Sequence, residues 1–213
     1  MTARDALVAP RLIDGPRIFK PAGSALARRL MGLFGWKVDF DGLPALQGVV
    51  MVYPHTSNWD FIVGIFAKWA LGLQVRYWAK DSLFRLPLFG AWLRWVGGIA
   101  VNRKSRHGIV ADTAQQMLRA RDRNELFWLA VTPEGTRSLG PGWRSGAYQV
   151  ALQAQVPVGL VYFDYATRTV GFTTFVQISG DAGQDLALIA RHLAHAQGRR
   201  PELASPIRFT SSP

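Results

Sequence analysis

The sequence contains no cysteine. Disulfides, thiol catalysis, Cys-ligated zinc and iron–sulfur clusters are excluded, and the lack fits a reducing compartment. Acid is scarce as well. Three Glu and eleven Asp face twenty Arg and five Lys, giving a formal charge of +11 and a pI near 10.8. Such a surplus says nothing about fold, but it attracts nucleic acid, anionic headgroups or phosphorylated substrates. No nucleic-acid-binding motif accompanies the charge, so nucleic acid is not an expected partner. Long apolar runs are missing too. The best begins at Phe61, is interrupted by Lys68 and ends by Gln74, short of the ~20 residues that cross a bilayer. The opening MTARDALVAPRLIDGP has no apolar core of a secretory signal. These absences predict no transmembrane helix, no signal peptide and a cytoplasmic location, with any membrane contact peripheral and on the inner face.

What the chain does have is enough apolar material for a core: 49% of 213 residues, with eight Trp. Aromatic rings beside abundant Arg suit a lipid–water boundary. Residues 1–35 read as an irregular lead-in, marked by Pro10, Gly15, Pro16 and Pro21, followed from Ser24 by a short amphipathic basic helix. In that helix Leu26, Leu30, Leu33 and Phe34 share a face. It can lie on a membrane or pack on the domain's own core, and the pattern alone does not choose. Residues 36–200 read as one domain, and 201–213 as a polar tail.

Within the domain VVMVY (49–53), VRYWA (75–79), IAVN (99–102), LFWLAV (126–131), VGLVYFDY (158–165) and VGFTTFVQIS (170–179) read as strands. Stretches near 60–72, 108–121, 144–155 and 185–196 have helical length. The alternation predicts a single α/β domain with a mostly parallel central sheet flanked by helices.

Three motifs carry chemistry. His55 and Asp60 stand in PHTSNWDF. On a regular helix such a spacing turns through ~140° and separates the side chains, given ~3.6 residues per turn. The pair therefore needs His55 in the turn before a helix, capped by Thr56, Ser57 or Asn58, and Asp60 in its first turn. Asp60 then holds the imidazole tautomer while the other nitrogen takes a proton. In VTPEGTRS, Gly135 permits a turn exposing N–H groups and Arg137 can grip phosphate, with Glu134 and Thr136 beside them. The carboxylate of Glu134 can alternatively orient the loop. GGIAVNR ends in Arg103, a second candidate phosphate ligand. Finally, Phe84, Leu88, Trp92 and Trp95 recur in SLFRLPLFGAWLRWVGG, where Pro87 and Gly90 break any long helix. They read as core, as an acyl-chain groove or as a membrane-facing surface.

Taken in order, HTSNWD, GGIAVNR, TPEGTRS and QVPVGLV resemble the four sequence blocks of the glycerolipid acyltransferase family, whose best-known members are 1-acylglycerol-3-phosphate O-acyltransferases. The resemblance spans roughly residues 36–180. It implies an αβ sandwich and transfer of a fatty acyl group from acyl-CoA or acyl carrier protein to a lysophosphatidic acid-like hydroxyl. On that pattern His55 is general base and Asp60 its partner. Arg103, Glu134, Gly135, Thr136 and Arg137 bind the acceptor phosphate, and Pro157 belongs to the fourth block. The chain departs from the pattern at Pro54, where the family commonly has Asn, at Thr132, where an aromatic is common, and at Ala100. No cofactor beyond the donor thioester and no metal is expected. The expected partners are that donor, a lysophospholipid and an anionic membrane surface. The same chemistry on another lysolipid or an aminolipid, or a non-catalytic basic membrane-binding protein, are the alternatives.

Overall fold

A computed structural model describes residues 9–101 and 106–210. Its centre is a run of five parallel strands: β3 (Gln47–Tyr53), β4 (Val75–Lys80), β5 (Gly98–Val101), β6 (Phe127–Val131) and β7 (Val158–Asp164). They lie in the order β7-β3-β6-β4-β5. Beyond β7, β8 (Thr169–Gln177) runs antiparallel, and its far edge carries β1 (Arg11–Leu12) and β2 (Lys37–Phe40). The mostly parallel sheet matches the fold class expected from the sequence.

Alternation along β3 explains the layering. Val49 and Met51 face one core, which they share with α4 (Arg106–Asp122), α5 (Gly146–Ala154) and α6 (Ala182–Leu193). Val50 and Val52 face the other, which they share with α1 (Ala25–Leu33) and α2 (Trp59–Leu71). A strand buried on both faces must read as a continuous apolar run, which is how VVMVY reads. Ser24 caps α1 by accepting from the Ala27 N–H.

The structure departs from expectation in three places. Residues 87–95 form a helix, α3 (Pro87–Trp95), with Pro87 in its first turn, where a missing N–H costs nothing. Gly90 lies inside it because a Cβ there would sit 2.3 Å from the Phe84 carbonyl oxygen, in the 3-10 turn Asp81–Arg85. The short edge strands β1 and β2 gave no periodic signal. The third departure is at the end of the chain. Residues 201–210 of the expected polar tail are packed onto the domain: Ser205 is fully buried and the Phe209 ring lies 5.1 Å from that of Tyr148.

Candidate active site

The sheet order decides where the motifs meet. β7, β3 and β6 are neighbours and parallel, so the segments leaving their C-terminal ends lie side by side. The end of β3 delivers His55, that of β6 delivers Thr132–Arg137, and that of β7 delivers Tyr165. Ligand sites of open α/β sheets form at such ends.

His55 lies in the turn after β3, beyond a cis Tyr53–Pro54 peptide bond, and Asp60 in the first turn of α2. The imidazole Nδ1 is 3.1 Å from Asp60 Oδ2, with 12% of the His55 side chain and 1% of the Asp60 side chain exposed. The contact is one of proximity; the atoms are not aligned as in a formed hydrogen bond. Asp60 also organises the turn. Its Oδ2 accepts from the N–H groups of Thr56 and Ser57, each at 2.9 Å, and its Oδ1 accepts from the Tyr165 hydroxyl at 2.7 Å. Asn58 occupies the N-cap position without a side-chain cap; Ser57 Oγ accepts from the Trp59 N–H instead.

The loop after β6 supplies the second carboxylate. Glu134 is 3% exposed. Its Oε2 accepts from the His55 backbone N–H at 2.5 Å and its Oε1 from the Ser205 N–H at 2.8 Å. Burial pushes its carboxyl above the ordinary value, and the two amides and the nearby imidazole pull it back. The sequence reading grouped Glu134 with the phosphate ligands. Its oxygens are instead committed to two backbone donors, and a buried anion would repel phosphate. Gly135 has φ +68, and a Cβ there would lie 2.7 Å from the Arg144 side chain. Thr136 and Arg137 are exposed, as is Arg144. Arg103 lies outside the described residues.

The four candidate acyl-groove residues do not line one groove. Phe84 is buried under Gly90 and Gly98, with the Arg94 guanidinium 5.9 Å from its ring. Leu88 is 90% exposed, and Trp95 is exposed while leaning on Trp69. Trp92 packs between Phe61 and Phe89. Helical spacing gives 88, 92 and 95 a common face of α3, whereas 84 belongs to the preceding turn and points into the core.

Sequence reasoning missed the segment that closes the site. The Gln197 carbonyl accepts from the Tyr165 N–H, the Arg200 N–H donates to Thr56 Oγ1, and the Ser205 N–H donates to Glu134. The Arg199 guanidinium lies 5.4 Å from the Trp59 ring centre. Among the described residues no group of three His, Asp or Glu could hold a metal ion.

A sequence model of the acyltransferase family matches residues 37–163, more than half of the chain. The chloroplastic 1-acyl-sn-glycerol-3-phosphate acyltransferase BAT2 of Brassica napus is 27% identical over 127 residues, covering 58% of this chain and 36% of that protein. The 1-acyl-sn-glycerol-3-phosphate acyltransferase of Streptococcus pneumoniae is 26% identical over 156 residues, covering 70% of this chain and 55% of that protein. The chain thus spans about a third and about half of these relatives' lengths. The crystal structure of the 1-acyl-sn-glycerophosphate acyltransferase PlsC from Thermotoga maritima superposes with a TM-score of 0.49 at 18% identity, over 78% of this chain and 73% of that one.

Proposed function

The chain belongs to the acyltransferase family, and from that premise we propose that it transfers a fatty acyl group from a thioester, acyl-CoA or acyl carrier protein, to the hydroxyl of a lysophosphatidic acid-like acceptor. It does so while lying peripherally on an anionic membrane surface. The observation that carries the reading is the His55–Asp60 contact at the C-terminal end of β3, between the ends of β6 and β7. Asp60 faces Nδ1, which selects the tautomer protonated there and leaves Nε2 to accept a proton. Contacts of this kind are often imperfectly aligned before substrate binds.

The reaction needs no covalent acyl-enzyme. The acceptor oxygen attacks the thioester carbonyl as Nε2 takes its proton, the tetrahedral adduct collapses, and the thiolate leaves and recovers a proton from the imidazolium. Arg137, exposed on the loop that Gly135 turns, supplies a cation for the acceptor phosphate. Arg103 is the second candidate for that role. Glu134 holds the backbone of His55 and so ties the base to that loop.

The test is thiol release from acyl-CoA by the purified protein in mixed micelles with and without lysophosphatidic acid. Acceptor-dependent release is expected, reduced about 10²–10⁴-fold in His55→Ala, the usual worth of a general base. Release that survives His55→Ala unchanged would remove the mechanism. The relatives' names favour a glycerophosphate acceptor, so an acceptor without phosphate should be turned over poorly.

A further inference from the structure

The carboxylate that faces His55 is itself held by a side chain just beyond the span matched by the family model. Tyr165 follows the last residue of β7 and donates its hydroxyl to Asp60 Oδ1 at 2.7 Å. Its ring meets Trp36 edge-on, with centres 4.9 Å apart and planes at 88°. Its backbone N–H donates to the Gln197 carbonyl at 2.8 Å. The phenol is thus fixed from two sides before it reaches Asp60. We propose that Tyr165 is a positioning residue of the acyl-transfer site, locking the Asp60 carboxylate so that it orients the His55 imidazole and moderates its basicity.

Asp60 divides its charge among its hydrogen-bond donors and the imidazole. A hydroxyl bonded to a buried carboxylate makes one of the stronger hydrogen bonds in proteins and withdraws negative charge towards the donor. Thr56 and Ser57 draw on Oδ2, and Tyr165 alone among the described side chains draws on Oδ1. Without the phenol, more of the charge acts on the imidazole and favours its protonated form. The groups facing the pair are Asp60 from α2, Glu134 from the loop after β6, Tyr165 from the end of β7, and Arg199 from the C-terminal segment beside Tyr165. Replacing Tyr165 by Phe changes only one of them. The phenol's own proton is safe over the working range, because burial, and then the bond to Asp60, push its pKa up.

This inference rests on the reading of His55 as the base, so its decisive measurement does not use turnover. The chain has four His. Their imidazole signals are titrated by NMR in the wild type and in Tyr165→Phe, with His55→Gln identifying the signal of His55. Phenylalanine keeps the ring against Trp36. In the variant, the His55 signal is expected to follow pH with its midpoint moved upwards, because the charge that the phenol held now faces the imidazole. The acidic limb of kcat/KM should move upwards by the same amount and kcat should fall about 10-fold, with KM for the acceptor little changed. An unmoved His55 titration in a folded Tyr165→Phe protein overturns the proposal. Should that variant fail to fold, 3-fluorotyrosine incorporation keeps the ring and strengthens the donor. It must move His55 in the opposite direction, and no movement overturns the proposal equally. Inactivity of the wild type would count against the acyl-transfer reading and leave the NMR comparison intact.

Discussion

Asp60 and Glu134 are both buried carboxylates beside one histidine, and their partners separate them. Asp60 faces the imidazole; Glu134 reaches the backbone on either side, at His55 and Ser205. Because Glu134 accepts through both oxygens, Glu134→Gln must turn an amide group towards one of those N–H donors. It should cost about 1–3 kcal/mol, the penalty for a buried donor without an acceptor, as a lower urea midpoint. The pH dependence follows from the sign of its shift. The folded carboxyl is raised above its ordinary value, so between the unfolded and folded pKa values the native state binds more proton. Glu134's contribution to stability therefore falls as pH rises through that window and levels off above it. Urea titrations of wild type and variant across the window should show the wild type's advantage shrinking with pH; an advantage that grows would refute the sign. His55, Asp60 and the Gly135 turn were legible because each lies within a few residues of its partner. Glu134's bond to His55 crosses 79 residues and that of Tyr165 to Asp60 crosses 105, distances at which no spacing rule speaks.

At the level of elements, the apolar strands and the longer helices were visible because burial on both faces or on one stripe leaves a periodic mark. The closing segment 197–210 leaves none. It contributes single hydrogen bonds and small residues rather than a stripe, so PELASPIRF reads as tail. Its fit is nevertheless tight. A Cβ on Gly198 would lie 2.6 Å from Thr56 Oγ1 and 3.0 Å from the Pro54 side chain. Gly198→Ala must therefore displace either the segment or the turn carrying His55. Both are anchored, the segment through Ser205 and the turn through Asp60. The expected outcome is a kcat lowered about 10-fold or more, the scale of a small misplacement of a catalytic group, with the helical circular dichroism unchanged. Wild-type kcat in that variant would show that the segment yields freely and does not position the turn.

On the scale of the whole molecule, large apolar side chains are exposed on and around two helices, α1 and α3. Leu26, Leu33 and Phe34 on and after α1, and Leu86, Leu88 and Trp95 around α3, are exposed. Leu26 and Trp95 both line a cleft of about 830 Å³ whose walls include Leu30, Phe66, Trp69 and Leu73. Lys68 and Arg76 line the same cleft and no carboxylate does. Lys68 donates to the Val96 carbonyl, and burial lowers its pKa. No helix among the described residues is long and apolar enough to cross a membrane. Exposed apolar side chains on elements that also carry Arg28, Arg29, Arg85 and Arg94 suit an anionic interface, with rings and aliphatic chains at headgroup depth and guanidinium groups above them. The protein should co-sediment with vesicles containing phosphatidylglycerol and much less with phosphatidylcholine alone. Binding should weaken as salt shortens the reach of the surface charges. The double variant Leu33→Asp, Phe34→Asp separates the apolar part from the charge. Each side chain is worth about 1.5–3 kcal/mol when fully buried, so partial insertion of the pair should cost at least ~10-fold in vesicle affinity. Both residues already face solvent, so the thermal midpoint should stay within a few degrees. Undiminished binding by this variant would place the membrane contact on another face of the molecule.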